Sequence, residues 1–230
     1  MTEQTERWVV LDVGETLVDE TRFWRAWADE LGIPQMTFMS VFGAIVARGQ
    51  GYTDLPSYFA IDDWRRHRET VDGRTGGFQA EDLYPDAVPA IEALRERGYR
   101  VAVIGNQPSS RHAQLQALGV DPEVMAMSED MGVMKPDPDF FRIALRLLGD
   151  PEPDDVIYVG DRIDNDVVPS AAAGMRAVWL RRGPWGVVPQ EEPAEADLVV
   201  DSLAAQPQLF WGDLHGHFGH VYTSTTGQRV

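Results

Sequence analysis

Residues 8–11, Trp-Val-Val-Leu, form a short apolar run that stops at a carboxylate, Asp12. An unbroken run of this length predicts a strand buried on both faces, with the polar residue at its C-terminal end. The same pattern returns at residues 100–104, at 156–159 before Gly160 and Asp161, at 177–180 and at 198–200. Between these runs the apolar spacing becomes helical, as in Val88, Ile91 and Leu94, or Phe141, Ile143, Ala144, Leu147 and Leu148, and residues 169–173 form a helix of small residues. Strands alternating with helices of about 10–15 residues predict an α/β fold, a Rossmann-like doubly wound parallel sheet that binds its ligands at the carboxyl ends of the strands.

One stretch breaks the alternation. Residues 18–83 carry aromatic and aliphatic side chains at helical spacing: Phe23, Trp24, Trp27 and Leu31, then Phe38, Val41, Phe42 and Ile45, then Tyr58, Phe59 and Trp64. They predict a small α-helical cap domain at 18–83, inserted into a core made of residues 1–17 and 84–215, with a tail at 216–230. Aromatic residues at this spacing read first as the insertion's own core and second as a lid over a substrate. Asp86, after Tyr84-Pro85, is the expected N-cap of the helix that re-enters the core.

Charge narrows the partners. The formal net charge is −17, so nucleic acid and anionic membrane surfaces are repelled by the average field. A small anionic substrate needs a local source of positive charge, from a metal, a lysine or helix N-termini. There is no cysteine, which excludes disulfides and thiolate chemistry. The polar start and the short first apolar run match neither a signal peptide nor a membrane span, so the expected location is cytoplasmic. Oligomeric state is left open by the sequence.

The polar residues at the strand ends are unusual in kind. Asp161, Asp164 and Asp166 crowd after one strand, where carboxylates repel one another unless a cation intervenes; a hard oxygen-seeking ion such as Mg²⁺ resolves that repulsion. Lys135 is the single lysine in a chain that otherwise uses arginine for positive charge. A compact ammonium reaches two oxyanions in a way that a planar guanidinium does not.

Four segments in this order resemble the haloacid dehalogenase-like superfamily, in its branch with a cap after the first motif. They are residues 12–17 (Asp-Val-Gly-Glu-Thr-Leu), residues 101–106 ending in Gly105-Asn106, residues 135–138 (Lys-Pro-Asp-Pro), and residues 159–166. The resemblance implies that Asp12 is a nucleophile forming a covalent aspartyl intermediate. It also implies that Lys135 holds nucleophile and substrate oxyanion. Mg²⁺ is then bound by Asp12, the Gly14 carbonyl, Asp161 and Asp166, with Asp164 a third choice among the acids of its segment.

The chain departs from the family pattern twice. The Ser or Thr of the second motif is Gly105, so that a backbone N–H and the Asn106 amide become the candidates for substrate binding. The second aspartate of the first motif, a general acid and base in family phosphatases, is Gly14, and loss of such a group costs about 10²–10⁴-fold in rate. Glu15 is the nearest substitute, with a charged residue at the cap hinge as its alternative role. The expected function is therefore a Mg²⁺-dependent phosphatase for a small phosphorylated metabolite. A metal-independent 2-haloacid dehalogenase and a catalytically impaired binding module are the alternatives; a phosphonatase is set aside because the insertion has no lysine.

Overall fold

The computed structural model describes residues 6–188 and 191–204; the expected tail at 216–230 lies outside them. Its centre is a six-stranded parallel sheet of β1 (Trp8–Leu11), β2 (Arg100–Gly105), β3 (Val124–Met127), β4 (Val156–Gly160), β5 (Arg176–Leu180) and β6 (Leu198–Val200), in the order β3-β2-β1-β4-β5-β6. The chain winds outward from β1 through β2 to β3 and then returns to β4 on the other side of β1. The order therefore reverses between β1 and β4, and a crevice opens at their carboxyl ends.

Five of the six strands coincide with the apolar runs. The sixth, β3, reads Val-Met-Ala-Met and is half-buried at the sheet edge. Met and Ala carry little strand preference, and an edge position removes the unbroken apolar signature of a central strand.

Helices cover both faces. On one side Ile91 and Leu94 of the helix Ala87–Glu96 pack with Val9, Leu11, Val101 and Val103; on the other Phe140, Phe141 and Ala144 of the helix Pro138–Leu147 pack with Trp8, Val10 and Tyr158. In chain order the helices are α1 (Thr21–Glu30), α2 (Gln35–Val46), α3 (Leu55–Tyr58), α4 (Arg68–Thr75), α5 (Ala87–Glu96), α6 (Ser110–Ala117), α7 (Ser128–Met131), α8 (Pro138–Leu147), α9 (Val168–Ala172) and α10 (Gly183–Val187). Leu147, expected on the apolar face of α8, is exposed, and Phe140 takes its place in the core.

Helices α1 to α4 all fall between β1 and β2 and share a hydrophobic cluster of their own, built on Trp24, Trp27, Phe38, Phe42 and Val71. Trp185 of α10 joins that cluster from the sheet side, its ring 5.0 Å from that of Phe42. The two chain segments that enter and leave the insertion are paired: Val18 bridges Leu83, Asp19 N–H donates to the Asp82 carbonyl at 2.7 Å, and Tyr84 N–H to the Leu17 carbonyl at 3.0 Å. Arg22 reinforces this neck by donating to the Asp82 carboxylate and to the carbonyls of Thr75 and Gly77.

Asp86 does stand at the N-cap position of α5, but its side chain makes no cap bond. Its Oδ2 instead accepts from Arg182 at 2.5 Å, Ser202 at 2.7 Å and Leu203 N–H at 2.9 Å. A guanidinium and two further donors outcompete one helical N–H for the same oxygen.

Candidate active site

Asp12 is the first residue beyond β1, and its N–H extends the strand pairing by donating to the Val159 carbonyl at 2.9 Å. Asp161 is the first residue beyond β4, and its own carbonyl accepts from the indole of Trp179 at 2.9 Å. The two carboxylates therefore meet across the switch point because their strands are neighbours. A single π-helical turn, Ile163–Val167, then brings Asp166 back to the same edge. Asp12, Asp161 and Asp166 are all buried and offer oxygens within 4.8 Å of one another.

Lys135, 3% exposed, is the cation that reaches this cluster. Its Nζ lies 2.7 Å from Asp12 Oδ1 and 2.5 Å from Asp166 Oδ1. Asn106, beyond β2, fixes the lysine backbone from both sides: Lys135 N–H donates to Asn106 Oδ1 at 2.8 Å, and Asn106 Nδ2 donates to the Lys135 carbonyl at 3.0 Å. The Asn106 amide, expected to cradle substrate, is thus engaged in holding the lysine. Asp166 Oδ2 accepts Arg162 N–H at 2.9 Å, so both of its oxygens have partners. Oδ2 of Asp161 is buried and has none.

Three buried acids and one base leave an uncompensated negative charge, and the titration behaviour follows. Burial, opposed by the Lys135 ammonium and aided by Asp166, lifts the Asp12 carboxyl to about 6. Burial and then the charges of Asp166 and Asp12 push Asp161 well above the usual carboxylate range. Burial works against a charged Lys135, but Asp12 and Asp166 outweigh it and hold the ammonium protonated far above neutrality. Asp12, Asp161 and Asp166 thus form a group of buried carboxylates that could hold a metal ion, and Asp161 brings to it an oxygen without a hydrogen-bond partner. Asp164 stands apart, exposed and paired with its neighbour Arg162 at 2.5 Å.

Glu15 does not project freely toward the acids. Its backbone takes the left-handed region at φ 52°, Oε2 accepts from the Tyr84 hydroxyl at 2.6 Å, and Oε1 accepts from Glu20 N–H at 3.1 Å. It ties the first turn to both strands of the neck. Burial, then the nearby Glu20 charge, raises its carboxyl to about 7.

Above the acids lies a cavity of about 300 Å³ between the sheet edge and the insertion. Its floor includes Asp12, Gly14, Lys135 and Asp161, and Trp24, Trp27 and Trp64 contribute to its roof. The roof aromatics are therefore both the insertion's core and the wall of the cleft. Arg22 is spent on the neck and Arg48, just past α2, on the Ala44 carbonyl of that helix; the arginines that reach the cavity are Arg68, Arg111 and Arg162. Arg111, Gln107 and Glu20 carry no sequence signal for a site, since each sits in an ordinary polar position one turn from a strand end or helix start.

A model of the haloacid dehalogenase-like hydrolases matches residues 6–174. The chain belongs to that family. A plasmid-encoded phosphoglycolate phosphatase of Cupriavidus necator is 33% identical over 225 residues, covering 87% of this chain and 91% of that one. A glyceraldehyde 3-phosphate phosphatase of Methanopyrus kandleri is 36% identical over 128 residues, which span 54% of this chain and about half (53%) of the relative. Among solved structures, a HAD phosphatase from Thermococcus onnurineus superposes with a TM-score of 0.60 at 23% identity, covering 90% of this chain and 99% of that one. This likeness supports the fold. Among the described residues no helix is long and apolar enough to cross a membrane.

Proposed function

We propose that this hydrolase is a cytoplasmic, Mg²⁺-dependent phosphatase of a small phosphorylated metabolite, with the helical insertion as its cap. The observation that carries the reading is the contact of one buried ammonium with both Asp12 and Asp166, beside an Asp161 carboxylate that has an oxygen to spare. The named phosphatases among its relatives point the same way.

In this reading Asp12 attacks phosphorus. Its carboxyl, lifted to about 6, is still mostly ionised at neutral pH and is held by Lys135 so that one oxygen faces the cavity. Lys135 also meets the phosphoryl oxygens, and Asn106 keeps the lysine in place. Asp12, the Gly14 carbonyl and Asp161, with Asp166 behind them, would hold Mg²⁺, which neutralises charge on the transferring phosphoryl group. The roof of aromatic rings excludes water while the substrate is bound.

The test is hydrolysis of 2-phosphoglycolate and of aryl phosphates by the purified protein. Mg²⁺-dependent phosphate release that Asp12→Asn abolishes supports the reading, as does capture of beryllofluoride on Asp12. Chloride release from 2-haloacids without metal, and no phosphate release, would replace it with the dehalogenase alternative.

A further inference from the structure

Gly14 stands two residues after Asp12, where family phosphatases carry the acid that protonates the leaving group. The space beside it is filled. A β-carbon built on Gly14 would lie 2.8 Å from Oε1, 3.0 Å from Cδ and 3.5 Å from Oε2 of Glu20. Apart from Gly14 and its two chain neighbours, these are the closest heavy atoms to that point, and they all belong to one carboxyl group. Gly14 does not adopt a positive φ, so its backbone accepts a side chain, and what prevents one is the Glu20 carboxyl group.

Glu20 is the residue just before α1, at the entrance to the insertion. Its carboxylate lines the same cavity as Asp12 and Lys135. Two contacts from different parts of the fold set its position. Its N–H donates to Glu15 Oε1 at 3.1 Å, and its Oε1 accepts from Gln107 Nε2 at 3.3 Å, across 87 positions of sequence. Arg111, Arg68 and the Trp24 indole complete its surroundings.

Resting on the phosphatase reading, we infer that Glu20 is the general acid and base of the reaction, delivered from the cap into the place left by the missing side chain of Gly14. Glu15, with both oxygens engaged by Tyr84 and by Glu20 N–H, is a positioning residue for it. In the first step an Asp12 carboxylate oxygen forms a bond to phosphorus as the bond from phosphorus to the ester oxygen breaks. The departing oxygen keeps the electron pair and takes the proton of the Glu20 carboxyl, leaving as an alcohol. In the second step the Glu20 carboxylate takes a proton from water while the water oxygen bonds to phosphorus. The bond from phosphorus to Asp12 breaks, its electrons return to the Asp12 carboxylate, and inorganic phosphate departs.

The experiment measures wild type, Glu20→Gln, Glu20→Ala and the double variant Gly14→Asp/Glu20→Ala with Mg²⁺. The substrates are an alkyl phosphate (2-phosphoglycolate) and 2,4-dinitrophenyl phosphate. Glu20→Gln keeps the shape of the side chain and guards against a folding defect. Expected are a loss of about 10²–10⁴-fold in kcat/KM for the alkyl phosphate in both single variants, a loss below about tenfold for the dinitrophenyl ester, whose leaving group needs no proton, and recovery of at least tenfold on the alkyl ester in the double variant. A Glu20→Gln protein with wild-type alkyl turnover, or with equal losses on both esters, overturns the inference while leaving the phosphatase reading intact. A wild type that releases phosphate from neither ester overturns both.

Discussion

A β-carbon on Gly105 would stand 2.5 Å from Oδ1 of Asp12, 3.0 Å from Cγ2 of Val13 and 3.3 Å from the Val13 nitrogen. The end of β2 and the turn after β1 are thus too close for any side chain between them. Glycine here belongs to the geometry of this particular site, because Lys135 holds the Asp12 carboxylate toward β2.

Restoring the family residue is therefore harmful. Gly105→Ser is expected to lower turnover by about 100-fold, the scale of a misplacement near 1 Å, and to destabilise the fold by about 1–3 kcal/mol. Phosphate release and urea unfolding measure the two effects; a variant with raised activity would show that Asp12 has room to move.

Lys135 answers for two buried carboxylates at once. Lys135→Met is expected to reduce unfolding free energy by about 3–5 kcal/mol, since removing one partner strands the charges of the others, and saturating Mg²⁺ should recover part of that loss. Lys135→Arg is expected to fare little better, because a larger, planar guanidinium must replace a compact ammonium that is buried beside the Tyr158 and Phe140 rings. Unchanged urea midpoints in metal-free buffer would contradict the buried ion cluster.

Asp161 and Asp166 should separate cleanly. Asp161 has a buried oxygen without a partner and is repelled by its neighbours, so Asp161→Asn is expected to leave metal-free stability unchanged or slightly higher. If Mg²⁺ binds as proposed, wild type gains melting temperature with the ion and this variant does not. Asp166 is bonded at both oxygens, so Asp166→Asn should lower stability with or without metal. Melting curves of both variants with and without 5 mM Mg²⁺ (about this concentration suffices for a millimolar site) decide the matter.

Glu15 titrates at about 7 in the folded chain against an ordinary 4.5, chiefly through burial. A raised carboxyl favours folding while protonated, so its contribution is complete below pH 4.5 and is lost as pH rises to 7, by an amount on the order of 3 kcal/mol. Glu15→Gln retains an acceptor for Glu20 N–H and removes this dependence. The variant's melting temperature relative to wild type is expected to be higher at pH 8 than at pH 5; a pH-independent difference would mean that Glu15 is not buried as a proton-sensitive group.

The apolar runs and the residues that end them are local properties of the chain, and they suffice to predict a doubly wound parallel sheet with Asp12 and Asp161 at the carboxyl ends of its strands. The single lysine and the spacing of Asp166 after Gly160 belong to the same local record. Edge strand β3 escaped it because half-buried Met and Ala lack a periodic signature, and Asp86 left its cap bond because Arg182, nearly a hundred residues away, competes for it. The strand order that makes β1 and β4 neighbours, the grip of Asn106 on Lys135, and the filling of the Gly14 site by Glu20 were decided only by tertiary structure. Each joins residues distant in sequence, and no periodicity records which side chain of the insertion comes to lie beside the core.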